Sequence, residues 1–165
     1  MMDMAELLKA NSGIRLDIGC GANKTPGWVG MDRQALPGVD IVHNWSVFPW
    51  PLPDECALQA LASHVVEHVN PADGHFLTWM DEVWRVLKPS GRLAIVVPYA
   101  TSHGMFQDPT HCNFCNETTW AYFDPNHPQA GGLLYAFYRP MPWRVVTCVW
   151  DVATNMEVIL EKRPA

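Results

Sequence analysis

No apolar run in the 165 residues approaches the ~20 needed to cross a bilayer. The best candidate, residues 93–100, is only as long as a strand and contains Pro98. The first residues lack the basic start and long apolar stretch of a secretion signal and carry Asp3 and Glu6 instead. Cysteine is too irregularly spaced, at Cys20, Cys56, Cys112, Cys115 and Cys148, for a disulfide framework. These absences lead us to expect reduced thiols, no membrane partner and a cytoplasmic location. Charge is also thin, at 17% of residues, with 11 basic against 17 acidic and a net of −6. The chain therefore lacks the basic footprint of a protein that grips duplex by its phosphates. It contains no internal repeat and no low-complexity tract.

What is present is core material. Hydrophobic residues make up 48% of the chain, enough for one globular domain over residues 1–165, with 1–13 as an N-terminal extension. Eight tryptophans and fourteen prolines are high for this length and point to many loops. The pattern predicts a short helix over 4–10 and strands over 14–18, 28–31, 39–43, 58–63 and 92–97. Pro49, Pro51 and Pro53 exclude regular structure over 45–55. The clearest helix spans 71–87. Asn70 can cap it, Pro71 suits its first turn, and Phe76, Met80, Val83, Trp84 and Leu87 share one face. A short helix over 117–123 and strands over 133–138, 145–151 and 157–162 complete the chain. Strands alternating with crossovers before a strand-rich end predict an α/β sandwich, mostly parallel, with a terminal antiparallel element.

The most informative stretch is Leu16-Asp17-Ile18-Gly19-Cys20-Gly21-Ala22-Asn23-Lys24. It is an apolar strand with an acid inside, opening into Gly-x-Gly at its carboxyl end, where open α/β sheets bind ligands. A dinucleotide fingerprint lacks its third glycine, because Lys24 stands there. A phosphate loop lacks the glycine before Lys24-Thr25, because Asn23 stands there.

Residues 16–32 (LDIGCGANKTPGWVGMD), 63–69 (SHVVEHV) and 82–99 (EVWRVLKPSGRLAIVVPY) together resemble a small, type 11-like class I S-adenosylmethionine-dependent methyltransferase. Residues 107–114 (QDPTHCNF) resemble a loop of one subgroup. The resemblance covers roughly residues 14–123 in order. It implies a Rossmann-like sandwich, S-adenosylmethionine as cofactor, and a small-molecule or singly presented nucleotide-type acceptor. Two departures stand out: too few residues separate Gly19 from Asp32 for the usual crossover helix, and the segment after the third strand is too short and proline-rich for the next one. One sheet face is then under-covered. The tryptophans and prolines of 45–53, or a second chain in a homo- or hetero-oligomer, would cover it. A non-catalytic cofactor-binding subunit is the alternative reading.

By resemblance, Asp17, Gly19, Cys20 and Gly21 hold the methionine end of the cofactor, and Asp32 holds the ribose hydroxyls. Asn44 and Trp45 lie beside the adenine, and Lys24 is a candidate for the cofactor carboxylate. An acid at a strand end is also a common loop cap, and an exposed lysine is usually only solvated. For a general base, His64 stands first and His111 second. The alternative for His64 is a residue that only lines the pocket, and His68 reads better as a packing residue. Cys112, Cys115, His111 and His103 lack the second ligand pair of a structural zinc site, so no metal ligand is assigned. Trp120, Tyr122, Phe123, Tyr135, Phe137 and Tyr138 divide between core and an acceptor pocket.

Overall fold

A computed structural model describes residues 13–130 and 132–165. The helix expected over 4–10 lies outside the described residues. Among the described residues seven strands form one sheet: β1 Ile14–Ile18, β2 Val29–Asp32, β3 Ile41–Val42, β4 Ala57–Ser63, β5 Leu87–Pro98, β6 Trp143–Trp150 and β7 Asn155–Lys162. Their spatial order is β3-β2-β1-β4-β5-β7-β6. The β1–β2, β2–β3, β1–β4 and β4–β5 pairs are parallel, and β7 runs antiparallel to both β5 and β6. The order reverses beside β1, where the chain steps from β1 to β2 on one side and β4 lies on the other. A sheet of this kind opens a crevice at the carboxyl ends of its strands there.

The main helix, α1 (His75–Val86), joins β4 to β5 and buries Phe76, Trp79, Met80, Val83 and Val86. Each such side chain contributes about 1.5–3 kcal/mol on leaving water. The helix begins later than Asn70 and Pro71 predict. Asn70 Oδ1 accepts from Ala72 N–H at 2.9 Å, a turn that leads into a separate 3₁₀ turn, Ala72–Gly74. Asp73 (φ 55°) and Gly74 (φ 74°) then break the spiral before α1 starts. At its other end the helix passes into β5 at Leu87. Pairing along β4 jumps from Ala57↔Leu87 to Gln59↔Arg92, so Lys88, Pro89, Ser90 and Gly91 bulge out, with Ser90 at φ 60°.

No helix lies in 19–28, 33–40 or 43–56, in line with the reduced crossovers expected. The 43–56 crossover packs on the α1 face, not on the barer face opposite. Trp50 meets Trp79 edge to face, with centroids 6.1 Å apart. Trp50 N–H donates to Glu82 Oε1 at 2.6 Å. Arg85 bonds both Glu82 oxygens, Leu52 O and Asp54 Oδ1. On the opposite face, β4 and β5 leave Gln59, Ser63 and Arg92 exposed and Leu61, Ala94 and Val96 half-buried. None of the described helices covers them. No helix among the described residues is long and apolar enough to cross a membrane.

Two further corrections concern the carboxyl-terminal part. Residues 133–138 form no strand. Tyr135–Tyr138 is a short helical turn (α3) closed by Tyr135 Oη donating to Pro140 O at 2.8 Å. The loop after β5 contains another short helix, α2 (His103–Gln107), whose Ser102 cap accepts from Met105 N–H. Residues 119–122 form only a 3₁₀ turn. Trp120 and Phe123 belong to the core, whereas Phe137 and Tyr138 are exposed.

Candidate functional site

A cavity of about 470 Å³ opens at the carboxyl ends of β1, β2 and β4. This lies within the size range of small-ligand sites. Gly19, Gly21, Asp32, Asn44, Trp45 and His64 line it, so six of the sequence-predicted residues converge. Arg33, Gln34, Leu36, Ser46, Val65, His68 and Thr110 also line it. Sequence reasoning assigned His68 to packing and missed the others, although Arg33 to Leu36 directly follow the acid at the end of β2.

The floor is the turn after β1. Gly19 has φ 66°, and a Cβ there would stand 2.5 Å from Val65 Cγ2. Gly21 has φ 54° with open space where its Cβ would be. Only glycine takes these values without strain. Asp32 locks the turn to β2: its Oδ2 accepts from Gly21 N–H and its Oδ1 from Gln34 N–H, both at 2.9 Å. A carboxylate has about four acceptor positions, so this one retains about two for a ligand.

Asp17 and Cys20 are not among the cavity-lining residues. Asp17 is buried, and its Oδ2 accepts from Thr25 N–H at 2.7 Å, tying down the far end of the turn. Burial, and then the charges of Asp17 and Asp32, push the Cys20 thiol up to about 11, so it stays protonated. Lys24 pairs with Asp40 at 2.7 Å and is held at β2.

The opposite wall is the turn after β4. His64 has φ 55°, and its N–H donates to Val96 O. Its Nδ1 lies 3.1 Å from Oε1 of the fully buried Glu67. A carboxylate only accepts, so Nδ1 is the donor, and in the neutral ring Nε2 carries the lone pair. His68, read from sequence as a packing residue, lines the cavity within the 3₁₀ turn Val66–His68. His111 does not line it. Its ring is largely buried and lies 4.7 Å from that of His68. Cys112 is exposed and Cys115 buried, and all five cysteines are free. Burial, and then the Glu67 charge, push the Cys115 thiol up to about 12.

No protein-family model matches the chain, and no curated protein matches it in sequence. Solved structures do match. A SAM-dependent methyltransferase from Archaeoglobus fulgidus superposes with a TM-score of 0.60 at 17% identity, covering 95% of this chain and 94% of that one. The 1,6-didemethyltoxoflavin-N1-methyltransferase of Burkholderia thailandensis, solved with bound 1,6-didemethyltoxoflavin and S-adenosylhomocysteine, gives 0.60 at 15% identity, covering 97% and 76%. The [4+2]-cyclase SpnF gives 0.57 at 14% identity, covering 98% and 80%. The chain thus has the fold of the small class I S-adenosylmethionine-dependent methyltransferases.

Proposed function

We propose that this cavity binds S-adenosylmethionine and that the chain is a methyltransferase acting on a small molecule or a singly presented nucleotide-type acceptor. The observation that carries the reading is Asp32. Its carboxylate ends β2 at the cavity wall, buttresses the Gly19–Gly21 turn, and keeps acceptor positions free for a vicinal diol. In this reading Gly19 and Gly21 admit the methionine end of the cofactor, and Asn44 and Trp45 flank the adenine. Asp17 acts through the turn it holds. The cofactor, when bound, supplies a methyl group already activated on a sulfonium.

The chain's own residues then align an acceptor and take its proton. His64 is the base: it lines the cavity, and Glu67 holds Nδ1 so that the Nε2 lone pair is available. Arg33 and Gln34, beside Asp32, add polar contacts at the ribose side.

Calorimetry with S-adenosylmethionine and S-adenosylhomocysteine is the first test. We expect both to bind, and failure of both would overturn the cofactor reading. Labelled cofactor offered with small-molecule, tRNA and DNA pools then tests transfer. Binding without transfer to any pool would favour the second reading, a non-catalytic cofactor-binding subunit. The sheet face left without a helix among the described residues supports that second reading. So does a cyclase among the structural matches, which separates the fold from one chemistry.

A further inference from the structure

Glu67, His68 and His111 converge although the loop that brings His111 is remote in sequence. One ligating atom of each lies within 4.8 Å of the other two. Glu67 is fully buried; His64 meets its Oε1, and Oε2 has no hydrogen-bond partner among the described residues. An anionic oxygen removed from water and left unpaired is strongly unfavourable unless a cation or a proton meets it.

Hydrogen bonding also fixes both rings. His111 Nδ1 lies 3.1 Å from Met105 O, a carbonyl that only accepts, so Nδ1 is the donor and in the neutral ring Nε2 bears the lone pair. His68 Nδ1 lies 3.0 Å from Thr110 Oγ1, whose single proton goes to Asp108 Oδ1 at 2.7 Å. His68 Nδ1 is therefore the donor in that contact, and its Nε2 is free. Each imidazole thus has its second nitrogen anchored on an acceptor, as metal-ligating histidines do. Asp108 Oδ2 stands 3.9 Å from His111 Nε2. The scaffold is rigid as well. Cys112 N–H and Asn113 N–H donate to Glu67 O, and Asn113 Nδ2 donates to Val66 O.

We propose that Glu67, His68 and His111 form a binding site for a first-row divalent transition-metal ion. Two imidazole nitrogens and one carboxylate oxygen suit Zn²⁺, Co²⁺, Mn²⁺ or Fe²⁺ better than Ca²⁺ or Mg²⁺, which favour all-oxygen sets. The cysteines take no part. The ion ties the loop around His111 to the turn after β4, so its binding stabilises the fold. None of this depends on the cofactor reading.

The full chain, stripped with a chelator, is titrated with Co²⁺ while visible d–d absorption is followed, and with Zn²⁺ by calorimetry and thermal melting. We expect saturation at a single ion and a rise in melting temperature that chelator reverses. Glu67→Gln keeps shape and the bond to His64 but removes the anionic oxygen, and His111→Ala removes a nitrogen. Each should weaken binding by more than the roughly 10–100-fold that loss of a supporting hydrogen bond costs. Thr110→Val should weaken it by about tenfold, and Cys112→Ser should leave it unchanged. The proposal is overturned by a parent protein that binds neither ion saturably, or by folded Glu67→Gln binding like the parent. Intense thiolate charge-transfer bands that vanish in Cys112→Ser would also overturn it. If Glu67→Gln fails to fold, unchanged binding by Thr110→Val and His111→Ala does so instead.

Discussion

Replacing Asp32 with alanine separates a ligand-holding acid from one that only caps a loop. The carboxylate already accepts two backbone N–H groups at 2.9 Å, from Gly21 and Gln34. Its removal leaves those donors unpaired in a partly buried turn, which costs about 1–3 kcal/mol of stability. That cost falls on the free protein and appears in its melting temperature. If the remaining acceptor positions hold a ribose diol, ligand affinity falls further, since a hydrogen bond to a charged group contributes about 1.5–3 kcal/mol. This is roughly a 10- to 150-fold rise in Kd for S-adenosylhomocysteine at 25 °C. Calorimetry on S-adenosylhomocysteine and its 2′,3′-dideoxy analogue, each against parent and variant, closes a double-mutant cycle. The parent should prefer the hydroxylated ligand, and Asp32→Ala should lose most of that preference. Equal losses for both ligands would show that Asp32 acts only on the turn and would refute the diol contact.

The turn itself gives a paired prediction. Gly19→Ala forces a left-handed residue and drives a methyl into the buried, β-branched Val65, whereas Gly21→Ala meets only the backbone strain. Melting should show Gly19→Ala the more damaging, with Gly21→Ala costing about 1–2 kcal/mol. His64→Ala should reduce turnover more than cofactor affinity, and equal losses in kcat and binding would leave it a positioning residue. The Glu82 carboxyl is raised by burial, but bonds from Arg85 and Trp50 N–H outweigh this and hold it below its ordinary value. Its stabilising contribution is therefore present above the unfolded carboxylate range near pH 4.5 and disappears as pH falls through the lower folded value. Glu82→Ala should cost about 1–3 kcal/mol at neutral pH, because Trp50 N–H is left unpaired while Arg85 keeps Asp54. That deficit should shrink in acid melts. Asp81, raised by burial, titrates in the opposite sense.

Much of the architecture is written locally. The apolar runs at 14–18 and 92–97 are strands, and the proline-rich 45–55 is irregular, because these depend on neighbours in the chain; that 92–97 is buried on one face only is set by what packs on the sheet. Errors arise where local signals compete. Asn70-Pro71 is a genuine start signal, but Asp73 and Gly74 restart the chain before the helix proper. The aromatic run at 133–138 has strand composition, yet the turn closed by Tyr135 and Pro140 makes it helical. In the site, Gly19, Gly21, Asp32 and His64 are legible because each sits where its own strand ends. Asp17 is diverted to Thr25 N–H by the path of the turn, and the meeting of His68 with His111 depends on a loop docked from more than forty residues away. No local pattern encodes those outcomes.

The missing crossovers also bear on how the chain finds its fold. Parallel strands ordinarily wait for a long connection to order before they can pair. Here only the loops 19–28 and 33–40 separate β1 from β2 and β2 from β3. Closing a short loop forfeits less entropy than closing a long one, although the dependence on length is logarithmic and shallow. With no intervening helix to form first, pairing among β1, β2 and β3 on the rim of the ligand cavity needs only these two short loops to close.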